Sequence, residues 1–151
     1  MLVCDGAMGT QLYAKGIFLN RCFDELNLTQ PDLVAEVHRD YVHAGADVIE
    51  TNTFGANRFK LEHFGLGDKA QLIARQGARI ARHVARESVY VAGSIGPLGV
   101  RIEPFGKTGV DEAEAAFRDQ AQGLAEGGVD LFILETFRDL NEIVAAIRAV
   151  R

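Results

Sequence analysis

The sequence has little that would staple or anchor it. It holds two cysteines, Cys4 and Cys22, in 151 residues, and no Cys-x-x-Cys. That excludes a disulfide-dense scaffold and, from these two thiols alone, a cysteine-rich zinc site. Cys4 stands in an apolar run, where a free thiol behaves as a small hydrophobe. No apolar run approaches the roughly 20 residues of a membrane helix. The opening MLVCDGAMGT lacks the basic start of a signal peptide and is interrupted by Asp5. A cytoplasmic protein with no membrane partner is expected. Basic charge is not in excess either: 16 Lys and Arg against 21 Asp and Glu leave a net charge of −5. A general nucleic-acid binder gains affinity by neutralising phosphates, so this balance argues against one. No Gly-x-Gly-x-x-Gly follows the first apolar run, and Gly93-Ser94-Ile95-Gly96 lacks the spacing of a nucleophile elbow. His38-Arg39-Asp40 copies part of a kinase catalytic loop, but it lies within a helical pattern and lacks the later Asn.

What is present is an ordinary globular composition, 48% apolar and 25% charged, with enough length for a core. Short apolar runs alternate with longer helical patterns. The runs are Leu2-Val3-Cys4, Val48-Ile49, Val89-Tyr90-Val91-Ala92 and Leu131-Phe132-Ile133-Leu134, and they begin about 40 to 46 residues apart. Continuous runs of this kind suit parallel strands buried on both faces. The first helix is expected near Thr29-Gln30-Pro31-Asp32, with Thr29 as cap, Pro31 in the first turn, and Val34, Val37, Tyr41 and Ala44 on one face up to Gly45. The second runs from about Asp68 to Glu87 with Ile73, Ile80 and Val84 inward. The third opens at Asp111 with Glu114 as in a capping box, turns Phe117, Ala121 and Leu124 inward, and ends at Gly127-Gly128. The last opens at Asp139, with Glu142 three on, and carries Leu140, Ile143, Val144, Ile147 and Val150. Arg75, Arg79, Arg82 and Arg86 read as a solvated helix face.

Four strand–helix units imply a parallel sheet with right-handed crossovers. They make half of a (β/α)₈ TIM barrel, which needs about 250 residues, and residues 1–151 read as its N-terminal half with the second half absent. A small doubly wound sheet is the rival fold. An internal echo supports the repeat: Gly45 to Thr51 and Gly128 to Thr136 both read Gly-x-Asp, apolar run, Glu-Thr.

Ligands in such folds bind at the C-terminal ends of the strands. Asp5, Glu50 and Glu135 fall at three of these four ends. Crowded carboxylates repel, and a bound cation relieves the repulsion. The four histidines fall on helical patterns or their ends, so an ammonium group held by Asp5 and Glu135 is preferred to a metal ion. Gly6, Ala7 and Gly9 let a ligand's carboxylate approach backbone amides, which together describes an amino-acid site. Two blander readings stay open at this point: Asp5-Gly6 as a simple turn, and Glu135 as a solvated rim residue. Glu50 and Thr51 alternate in direction, so only one of them faces the interior.

Asp5-Gly6-Ala7-Met8-Gly9-Thr10, Glu50-Thr51-Asn52-Thr53-Phe54-Gly55-Ala56-Asn57, Gly93-Ser94-Ile95-Gly96-Pro97 and Leu134-Glu135-Thr136-Phe137 resemble homocysteine S-methyltransferases over the whole chain. Arg21 to Asn27 looks most like the bacterial branch fused to methylenetetrahydrofolate reductase, and the methionine synthase N-terminal domain is also similar. The resemblance implies a (β/α)₈ barrel in which zinc, held by three cysteine thiolates, binds homocysteine as the thiolate that attacks a donor's methyl group. It implies that Asp5 and Glu135 hold the homocysteine amino group, that Gly6, Ala7, Asn52 and Thr53 line the same pocket, and that methyltetrahydrofolate or methylcobalamin is a possible donor. The family's zinc cysteines belong to the second half of the barrel, and Cys4 and Cys22 match none of them. The chain alone is therefore expected to lack activity. Two alternatives remain: a non-catalytic half-barrel that self-associates or complements another chain through its open edges, and a small doubly wound domain binding a phosphorylated ligand at Gly6–Thr10.

Overall fold

The computed structural model describes residues 1–18 and 20–151. Among them, three strands form a parallel sheet in the order β1 (Val48–Glu50), β2 (Tyr90–Ile95), β3 (Leu131–Leu134). The helices are α1 (Met8–Ala14), α2 (Leu26–Thr29), α3 (Pro31–His43), α4 (Arg58–Glu62), α5 (Ala70–Ala85), α6 (Val110–Gly127) and α7 (Leu140–Ala149), with a 3₁₀ turn at Gly67–Lys69 leading into α5.

The segment expected as a first strand is reduced to one bridge, Cys4 to Val48, on the free side of β1. Its ladder stops for a local reason. The Val3 carbonyl accepts both Asp47 N–H and Val48 N–H, while Val3 N–H donates to the Asp47 carboxylate instead of a backbone carbonyl. The spatial order is still that of four successive parallel units. The long helices pack each on the next, α3 on α5, α5 on α6 and α6 on α7, so they lie along one face of the sheet. A doubly wound sheet would divide them between two faces. The chain therefore has the first half of a (β/α)₈ arrangement, with helices as the outer ring.

The main core lies between β2 and the helices, around Ile73, Ile95, Leu98, Ile102, Phe117 and Leu124. Phe117, Ala121 and Leu124 face inward as their spacing predicts, and Gly128 ends α6 in the left-handed conformation at φ 91°. On α5 the inward stripe differs from expectation. Ile73 is buried, but the rest of the face is Ala70, Ala74, Gly77, Ala78, Ala81 and Ala85, with Ile80 and Val84 at its margins. The small residues are needed because α6 comes very close. A Cβ on Gly123 would run into the Gln71 carbonyl oxygen, and one on Gly127 into Ala78.

Two helix starts also differ, and a third agrees only in part. Gln30, not Thr29, precedes α3, and the Thr29 hydroxyl bonds back to the Glu25 carbonyl at the end of α2. No side chain caps α6: Gly109 stands at its N-cap, and Glu114 pairs with Arg118 instead of closing a capping box. Asp139 does cap α7, accepting from Asn141 N–H at 2.8 Å, but Glu142 reaches away to Leu98 N–H at 2.7 Å. The face of α7 that meets the core is Glu142, Ala145 and Ala146, and Leu140 is 82% exposed. The arginine face of α5 is only partly solvated, since Arg82 pairs with Asp130 at 2.5 Å and Arg75 with Glu126 at 3.5 Å. No helix among the described residues is long and apolar enough to cross a membrane.

Candidate functional site

Each strand delivers its last side chains to the same end of the sheet, and a cavity of about 710 Å³ opens there. Asp5, Gly6, Ala7, Asn52, Thr53 and Glu135 all line it, together with Glu50, Ser94 and, on the far wall, Asp24, Phe54 and Lys60. Strand-end position singled out Asp5, Gly6, Ala7 and Glu135, and the resemblance added Asn52 and Thr53; the structure brings all six together with Glu50, Ser94 and the far wall.

The carboxylates form one electrostatic unit. Asp5 Oδ2 accepts Glu50 N–H at 3.0 Å. Burial pushes the Asp5 carboxyl up to about 6, against the pull of that N–H, and the Glu135 charge adds to the rise. Glu50 is pushed up to about 7, first by burial, then by the neighbouring Glu135 carboxylate, and then by Asp5. Near neutral pH the pocket therefore keeps part of its acid in protonated form, as expected for carboxyls that are partly buried beside one another. Glu135 is gripped at both oxygens: Ser94 Oγ donates to Oε1 at 2.6 Å and Thr136 Oγ1 to Oε2 at 3.3 Å.

The direction of Glu50 and Thr51, open from the sequence, is decided by the neighbouring strand. Thr51 is buried, its Oγ1 accepts Ser94 N–H at 3.0 Å, and it shares a 2.6 Å hydrogen bond with Thr53 Oγ1, which donates to the Ser94 carbonyl at 2.8 Å. Glu50 is left to face its partner carboxylates. Sequence reasoning places Glu50 at a strand end but leaves its direction open, although the Glu-Thr echo with Glu135-Thr136 carried the signal.

Asn52 and Thr53 reach the cavity wall, but their polar atoms are used mainly to fasten it. Asn52 Nδ2 donates to the Phe23 carbonyl at 2.8 Å and to Asn27 Oδ1 at 3.1 Å, and Asn27 Nδ2 returns a bond to the Asn52 carbonyl at 2.8 Å. These bonds tie α2 and the loop before it to the end of β1. Next to it, Asp24 Oδ1 accepts Gly55 N–H at 3.0 Å, and burial raises Asp24 to about 6 against the pull of Gly55 N–H and Lys60. The Lys60 ammonium sits 4.3 Å from the centre of the Phe54 ring.

On the wall formed by the first loop, Tyr41 O–H donates to the Ala7 carbonyl at 3.2 Å, fixing the turn. The backbone N–H groups of Gly6 and Ala7 have no partner among the described residues. The cavity thus has carboxylate acceptors on one side and the exposed Gly6–Ala7 backbone on another.

These residues do not fit a three-thiolate metal site. Cys4 is exposed on the bridging segment, Cys22 is buried, and among the described residues no group of three or more His, Cys, Asp or Glu is placed to hold a metal ion. His38 is buried within α3 with neither ring nitrogen bonded, and burial lowers it to about 4.

Comparison with known proteins follows this geometry. The family model described as homocysteine S-methyltransferase matches residues 2–151. The chain is 38% identical over 163 aligned positions to a protein named methionine synthase from Mycobacterium tuberculosis, and 38% identical to the one from Mycobacterium leprae. It is covered in full in both, and spans only 14% and 13% of those proteins. Among solved structures, the homocysteine methyltransferase MmuM from Escherichia coli, in a form described as metallated, superposes with a TM-score of 0.86 at 27% identity, covering 99% of this chain and 58% of MmuM. Its oxidized form gives a TM-score of 0.84 at 28% identity.

Proposed function

The chain belongs to the homocysteine S-methyltransferase family, and from that premise we propose that residues 1–151 supply the amino-acid-binding half of a barrel that transfers a methyl group to the homocysteine thiol, with the remaining half coming from the rest of the polypeptide. The observation that carries this reading is the meeting of Asp5, Glu50 and Glu135 in one cavity that also exposes the unpaired Gly6 and Ala7 N–H groups. The ammonium group of homocysteine settles among the carboxylates and replaces the proton they hold in its absence. Its carboxylate takes the two N–H groups. The amino acid is then held by both ends of its backbone, and its side chain is free to project toward the reacting methyl group. The zinc ion expected for the family would be held by residues other than these, and cytoplasmic chemistry of this kind needs no membrane.

The test is calorimetric titration of homocysteine into the intact polypeptide carrying this chain. Each charge-assisted hydrogen bond to the ammonium is worth about 1.5–3 kcal/mol, so Asp5→Asn or Glu135→Gln should weaken binding about 10- to 100-fold. Unchanged affinity in both variants would remove the pocket assignment.

The exposed apolar side chains at the two ends of the sheet, Leu2 and Val3 on one side and Leu131, Leu140 and Val144 on the other, favour a second association in the same molecule. When the remaining half is missing, these edges pair with another chain.

A further inference from the structure

Thr136 follows Glu135 at the end of β3 and has a φ of 62°. This left-handed backbone suits glycine; a β-branched side chain there is an outlier. Glycine would remove the strain, which the Thr136 side chain therefore bears at a cost. The structure supplies the reason. Its hydroxyl donates to Glu135 Oε2 at 3.3 Å, while Ser94 Oγ, from the neighbouring strand, donates to Oε1 at 2.6 Å. Ser94 is buried, and Thr136 stands at the outer edge of the same turn. The carboxylate is held from two sides by two elements. Residues kept in such sparsely populated backbone conformations cluster where a group must be held in place.

We propose that Ser94 and Thr136 are positioning residues that fix the Glu135 carboxylate for the ligand's ammonium group, with Thr136 keeping a strained backbone to do so. This rests on the amino-acid reading of the preceding subsection. With both hydroxyls in place, each oxygen of Glu135, which lines the cavity, accepts one bond from the protein and keeps a second lone pair for a ligand. With either removed, the carboxylate is free to rotate, and the ammonium loses a fixed acceptor.

The test compares two ligands on the intact polypeptide by calorimetry: homocysteine, and 4-mercaptobutyrate, which lacks the amino group. The ratio of their affinities isolates the ammonium contacts. The unmodified protein should prefer homocysteine. Thr136→Gly should raise the melting temperature, because the strain is gone, and still lower that preference about tenfold, the loss expected for a displaced charge-assisted bond. Thr136→Val should lower the preference without raising the melting temperature. Thr136→Ser should retain it, and Ser94→Ala should lower it. A Thr136→Gly variant that is more stable and equally selective would overturn the positioning role while leaving the amino-acid site standing. An unmodified protein that binds both ligands equally would overturn the amino-acid reading, and this inference with it.

Discussion

Replacing Glu50 with Gln should stabilise the protein at pH 8 and do little at pH 5. In the fold the Glu50 carboxyl stands at about 7 against an ordinary 4.5. A carboxyl raised in the folded state costs nothing while both states are protonated. The penalty grows as pH rises through the unfolded value of 4.5 and is complete above about 7. Taken at full strength the shift is worth about 3 kcal/mol. The side chain is only half-buried, and solvent screening reduces this to about 1–2 kcal/mol. Gln mimics the protonated carboxyl in size and lack of charge, so it removes the penalty and little else. For a domain of this size the gain corresponds to about 3–6 °C in melting temperature at pH 8. At pH 5 most of it should vanish. Thermal unfolding of both proteins at the two pH values, at matched ionic strength, makes the comparison. A loss of stability at pH 8, or a gain equal at both pH values, would refute the account of three carboxylates straining against each other.

Other outcomes follow from the same structure. Homocysteine should raise the melting temperature more at pH 8 than at pH 5, because its ammonium relieves repulsion that exists only when Asp5 and Glu50 are ionised; differential scanning fluorimetry at the two pH values tests this. Gly127→Ala should destabilise by about 1–3 kcal/mol through overpacking against Ala78, measured by urea unfolding. Burial raises the Asp130 carboxyl, but Val91 N–H and the Arg82 guanidinium outweigh it and hold the group below its ordinary value of 3.8. Its contribution is present above that value and lost as pH falls through the folded one. Asp130→Asn should therefore weaken the protein at pH 7 and narrow the gap on acidification, as chemical unfolding at the two pH values would show. Residues 1–151 expressed alone should self-associate through the exposed Leu131, Leu140 and Val144 edge, and light scattering showing a stable monomer would count against this.

Much of the fold is legible because it rests on local periodicity. The Phe117, Ala121 and Leu124 stripe, the Gly128 stop and the positions of the three strands follow from residues close together in the chain. Several misses share one cause: the deciding partner lies far away in sequence. Glu142 has the spacing of a capping box but is claimed by Leu98 N–H, 44 residues earlier. Glu50 and Thr51 are interchangeable by alternation until Ser94 takes the Thr51 hydroxyl. The small face of α5 has no meaning until α6 is laid against it. The short helices α1, α2 and α4 were not anticipated at all, since pieces of four to seven residues carry too few positions for a period to show. The strand-end acids were visible as a pattern, whereas the grip on Glu135 from Ser94 and Thr136 needed coordinates.

The repeated Gly-x-Asp and Glu-Thr signatures have a consequence for how such a molecule changes over time. At the start of β1, Asp47 accepts Val3 N–H at 2.9 Å; at the start of β3, Asp130 accepts Val91 N–H at 2.7 Å, each fastening its own strand to the one before. At the opposite ends, Glu50 and Glu135 meet in the cavity. Every such unit thus carries a mooring acid at its foot and a working acid at its head, a few residues apart in the chain. Selection for a new ligand can rewrite the heads while the feet keep neighbouring units in register.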